Sequence, residues 1–100
     1  MAQPEEHDED FYNRADAHIR LSNDQCDEAG RGRVSASMLY ATARFNAWLS
    51  AIQAGSQAQM EQDKVQIVGY FVTQYTAMLV ENLDDYIANY AAYLQGPQGG

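Results

Sequence analysis

One hundred residues with 14 Asp and Glu against 6 Lys and Arg carry a formal net charge of −8, and 46% of them are hydrophobic. That is one domain with apolar material for a core, and its acidity excludes nucleic acid and anionic membrane surfaces, which are bound through neutralised phosphates. No apolar run is long enough to span a bilayer, the acidic start is the opposite of a secretory signal's basic segment, and the lone cysteine, Cys26, fits a reducing cytoplasm.

The only prolines, Pro4 and Pro97, sit near the two ends, and alanine is plentiful between them. Such a chain reads as all-α: a three-helix bundle-like domain with a long C-terminal helix, oligomeric through that helix. Residues 1–7 are expected to be a disordered acidic leader. The first helix is expected over about 8–28, where Glu9 and Asp10 meet the positive end of the helix dipole. Its stripe is Phe11, Ala15, Ile19, Ser22 and Cys26, and Asp10 to Arg14 and Asp16 to Arg20 are acid-then-base pairs at helical spacing.

Gly30 to Val34 reads as the turn, with Ser35 as the cap of a second helix over about 35–54. That helix has two faces. Met38, Ala41, Phe45, Trp48, Leu49 and Ile52 form a large apolar stripe, and Ala36, Ala43, Ala47 and Ala51 form a low strip on the far side. Gly55 ends it as a left-handed cap, and a polar linker leads to the longest helix, over about 60–94. There Val65, Val68, Val72, Tyr75, Leu79, Leu83, Tyr86, Tyr90 and Tyr93 recur every three or four residues, and Gly69 marks a close contact or a slight bend. Residues 96–100 are expected to be a disordered tail.

The search for chemistry returns little. The helical HExxH and ExxH spacings of zinc and di-iron sites are absent, so no metal and no cofactor is expected. His18 reads as a rim histidine and Cys26 as a small buried hydrophobe. Gly30-Arg31-Gly32-Arg33 before a capped helix has the outline of an anion cradle, but it lacks the third glycine of a dinucleotide fingerprint and the lysine of a P-loop. Arg44 and Asn46 lie between the two faces of the second helix. A guanidinium buried there needs a carboxylate, so a structural polar network of Arg44, Asn46, Asp16 and Asp85 is expected.

Arg14-Ala15-Asp16, Ile19, Asn23 and the run Val34 to Ala47, with Ala43-Arg44-Phe45-Asn46-Ala47 its most specific part, resemble a family of small proteobacterial proteins known as domain of unknown function 3144. Tyr70-Phe71, Gln74-Tyr75, Met78-Leu79 and Glu81-Asn82-Leu83-Asp84-Asp85-Tyr86-Ile87 continue the resemblance, which runs from Phe11 to Tyr90. It implies a bacterial, cytoplasmic, helical protein and brings no activity, cofactor or catalytic residue with it.

Two functional readings stand. In the first, the chain is a non-enzymatic oligomeric or protein-interaction module whose partner is itself or another protein. Its interface is Leu83, Tyr86, Ile87, Tyr90 and Tyr93, because the apolar stripe continues where two shorter helices no longer cover it. In the second, it binds a small molecule or anion, as a binder or an enzyme, in a pocket around Arg44 and Asn46. The missing motifs favour the first.

Overall fold

A computed structural model describes residues 8–95; the leader expected over 1–7 and the tail expected over 96–100 lie outside the described residues. Every regular element among the described residues is a helix: α1 (Phe11–Ala29), α2 (Arg31–Ala54), α3 (Gln57–Ala88) and the short α4 (Tyr90–Leu94). The all-α fold with three long helices, the longest nearest the C-terminus, is thus the one expected. Its contacts divide into two units, residues 1–49 and 50–100, with the division falling inside α2.

The first unit turns on one residue. Gly30 has φ 90° and ψ 153°, a backbone region open essentially to glycine alone. A single residue therefore redirects the chain, and α2 begins at Arg31, four residues before the expected start. Ser35 lies inside the helix and caps nothing. The amide of Val34 donates to the carbonyl of Gly30 at 3.2 Å, and Val34 itself is only 4% exposed. Further along, the Ser22 hydroxyl of α1 donates to the Met38 sulfur of α2 at 3.2 Å. The stripe of α1 largely holds: Phe11, Ala15, Ser22 and Cys26 are half-buried, while Ile19 is exposed. At the start of α1, Arg14 reaches past Asp10 to Asp8 at 2.6 Å, since Asp10 accepts instead from the Asn13 side-chain amide. Being exposed, the Asp8 pair is screened by solvent and adds little to stability.

In the second unit Gly55 ends α2 at φ +79°, and Ser56 caps α3 by accepting the amide of Gln59 at 3.1 Å. A Cβ built on Gly55 meets nothing within 4 Å, so replacing it tests the backbone alone. Holding alanine in the left-handed region costs about 1–2 kcal/mol. Gly55→Ala is expected to lower the melting temperature by about 4–8 °C per kcal/mol lost, read by circular dichroism at fixed protein concentration; an unchanged value would mean that the turn relaxes into another conformation.

α3 runs unbroken through Gly69, where an added Cβ would meet nothing within 4 Å. The glycine therefore marks neither a bend nor a close approach. The helix ends at Ala88 because Asn89 adopts φ −119°, ψ 27°. The hydrogen-bond spacing survives this irregularity: Asn89 donates its amide to the Asp85 carbonyl and Tyr93 to the Asn89 carbonyl, both at 3.0 Å.

Candidate functional site

The two long apolar stripes read from the sequence exist, but the chain does not bury them. On α3, Val65 is 83% exposed, and Val68, Val72, Tyr75, Leu79, Leu83, Tyr86 and Tyr90 are exposed as well. What α3 half-buries is a second face, made of Met60, Asp63, Ile67, Tyr70, Phe71 and Gln74, about a third of a turn away at 3.6 residues per turn. The same inversion holds on α2. Met38, Phe45, Trp48 and Ile52 of its large stripe are exposed, whereas Asn46, Leu49 and Ala54 are half-buried and Ser50 is 3% exposed. On α2 the aromatic pair Phe45 and Trp48 is thus exposed while Asn46 and Ser50 are more buried. Isolated exposed apolar residues are ordinary; these form a continuous line along a helix, which makes it the candidate surface.

Local chemistry fits that surface. The rings of Phe45 and Trp48 lie 5.5 Å apart on α2, and those of Tyr86 and Tyr93 lie 4.6 Å apart at the end of α3. The Tyr93 hydroxyl donates to Asp85 Oδ2 at 2.9 Å, and the Asn89 side-chain amide donates to Asp85 Oδ1 at 2.9 Å. One carboxylate thus ties α4 to α3 across the irregular Asn89 and holds the terminal tyrosine on the stripe. The hydrogen bond to Asp85 and its negative charge raise the Tyr93 phenol above its ordinary value of 10.0. Because the neutral phenol is the bonded form, this contact is intact below pH 10 and is lost as pH rises through the raised value. In a tyrosinate absorbance titration Tyr93→Phe is expected to delete a component that ionises above pH 10.0; deletion of a component that ionises at or below that pH would disprove the contact.

The expected polar network takes a different form. Arg44 and Asp16, both in the first unit, are exposed, and the one ion pair among the described residues is Arg14–Asp8. The expected pairing followed from a buried guanidinium; an exposed one needs no carboxylate. Asn46 is half-buried, and Asp85 is engaged by Asn89 and Tyr93. The interface set expected at the C-terminal end is placed as follows: Leu83, Tyr86, Ile87 and Tyr90 are exposed and Tyr93 is half-buried.

A cleft of about 470 Å³ lies in the first unit around the Gly30 turn, lined by Asp24, Gln25, Glu28, Ala29, Arg33, Val34 and Ser37. Two carboxylates against one arginine make it a poor anion site, and it contains neither Arg44 nor Asn46. Arg31 and Gly32, which outlined a cradle in the sequence, belong to the first turn of α2. Among the described residues no cluster of three or more His, Cys, Asp or Glu side chains is arranged to hold a metal ion, and no helix is long and apolar enough to cross a membrane.

The model of the family described as Protein of unknown function (DUF3144) matches residues 11–87. No curated protein matches the chain, and no solved structure does.

Proposed function

The chain belongs to that family, and we propose that it acts as a non-enzymatic association module whose first partner is another copy of itself. One observation carries the reading: the residues best suited to form a core are the ones left exposed. Among the described residues the buried positions are Val34 and Ser50. Twenty-one large hydrophobic side chains are exposed, Trp48 and Tyr75 among them.

Tyrosine suits such a face, because its ring is apolar while its hydroxyl tolerates a wet rim. A reducing, cytoplasmic setting belongs to the same proposal and rests on the single Cys26. The pocket reading around Arg44 and Asn46 gains nothing, since the cleft of the first unit lies elsewhere. Light scattering on a sizing column tests the proposal. At micromolar concentration the mass is expected to be twice the 11.2 kDa of the chain, or a higher multiple. A mass of one chain would remove it.

A further inference from the structure

The reading of the chain as a self-associating module says that the exposed face of α3 is covered, and the face itself says by what. Its positions are 65, 68, 72, 75, 79, 83 and 86 on α3, continued across Asn89 by 90 and the half-buried 93 on α4, with successive spacings of 3, 4, 3, 4, 4, 3, 4 and 3. That series reads the same from either end, and its centre is Leu79. A two-fold axis at Leu79, perpendicular to the helix, would bring every position of the face onto another position of the same face. Closed two-fold pairing uses one patch on both subunits and requires this kind of self-complementarity.

Side-chain size follows the same symmetry. The N-terminal part of the face carries valines, and the C-terminal part carries tyrosines. With α3 antiparallel to its counterpart, Val72 meets the partner's Tyr86, Val68 meets the partner's Tyr90, and Val65 meets the partner's Tyr93. Tyr75 meets the partner's Leu83, and Leu79 meets itself. Each valine is then opposite a tyrosine, so the gap between the helices stays even along its length. A parallel pair would set valine on valine at one end and tyrosine on tyrosine at the other, forcing the helices to splay.

Length and charge select the same occupant. The face spans about 42 Å at 1.5 Å per residue, more than the roughly 28 Å of α1 or 36 Å of α2 can cover, and the same stretch of α3 with α4 in a second copy matches it. Glu81, Asp84 and Asp85 project about a third of a turn or more away from the face, so pairing two acidic helices here does not oppose their carboxylates. Glu61, the acidic residue on the line of the face, would oppose its own copy in a parallel pair and is carried to the far end in an antiparallel one.

We propose that the apolar face of α3, continued on α4, is an isologous interface, occupied by α3 and α4 of a second copy running antiparallel with the two-fold axis at Leu79. Facing helices 8–10 Å apart bring cysteines at matched positions within disulfide reach, so cross-linking reads the register directly. In a full-length Cys26→Ser background, Leu79→Cys is expected to give a covalent dimer on oxidation. Val72→Cys alone and Tyr86→Cys alone are expected to stay uncrosslinked, and an equimolar mixture of the two, exchanged under reducing conditions and then oxidised, is expected to crosslink. Ala77→Cys, off the face, is the collision control. Light scattering under reducing conditions first checks that each variant keeps the wild-type mass. Crosslinking of Val72→Cys with itself, at the level of Leu79→Cys, would mean parallel helices and overturn the proposal. So would a dimeric mass with no Leu79→Cys crosslink above the Ala77→Cys level, although association itself would stand. A monomeric wild-type mass would instead remove the association reading beneath it.

Discussion

Replacing Tyr86 and Tyr90 together by glutamate is expected to convert the assembly into single chains. Both residues are on the exposed face, and both are partly apolar surface that a partner would desolvate. In a two-fold interface each substitution occurs twice, so the double variant places four carboxylates in a contact built from valine, leucine and tyrosine. The penalty for an unpaired ion in such a place is several kcal/mol after relaxation, and about 4 kcal/mol already raises a dissociation constant a thousandfold. A nanomolar dimer would become micromolar, and a micromolar one would be monomeric at any concentration used for light scattering. Ala77→Glu, on the side of α3 away from the face, is the matched control and is expected to keep the wild-type mass. If the double variant kept the mass of the assembly as well, the face would not be its interface.

Heating the wild-type protein at different concentrations is expected to show that folding and association are one equilibrium. Ordering a hundred residues costs on the order of 100–200 kcal/mol in conformational entropy. Helical hydrogen bonds alone do not offset this, because most helical stability in proteins comes from packing an apolar face. Among the described residues Val34 is the one buried apolar side chain, and in the proposed assembly a second copy supplies the further packing. Mass action then adds about 1.4 kcal/mol of stability for each tenfold rise in chain concentration. For an assembly of about 200 residues that corresponds to about 3–6 °C in melting temperature per decade. Helical circular dichroism measured from sub-micromolar to hundred-micromolar protein reads this directly. A melting temperature independent of concentration would show that one chain is stable alone, and would contradict the assembly.

Both expectations come from a face that was legible as a pattern and illegible as a surface. The period of valine, leucine and tyrosine from Val65 to Tyr93 defines a stripe on a helix, because side chains three and four apart share one side of an α-helix. Periodicity carries no sign, however. A stripe that packs inside the chain and one that packs against another chain have the same spacing, and only burial tells them apart. The half-buried line of Met60, Ile67 and Tyr70 is illegible for a related reason: it is shorter than the main stripe and interrupted by Asp63, and Phe71 reads from its spacing as widening the main stripe. Arg44 shows the same limit from the other side: its position between two faces of α2 reads as buried, whereas the residue is exposed.

By itself the sequence determined the all-α class, the three long helices, the break at Gly55 and the absence of metal-ligand spacing, because each depends on neighbours within a few residues. Prolines confined to the ends, alanine between them and a glycine after Ala54 act locally. So does the apolar period, which requires a helix wherever it runs. The tertiary structure decided the rest. It showed that one glycine at φ 90° suffices for the first turn, so that α2 starts at Arg31, and that α3 passes straight through Gly69. It also decided which side of each helix is exposed. That choice depends on side chains distant in the chain meeting or failing to meet, a property of the whole fold that no local window contains.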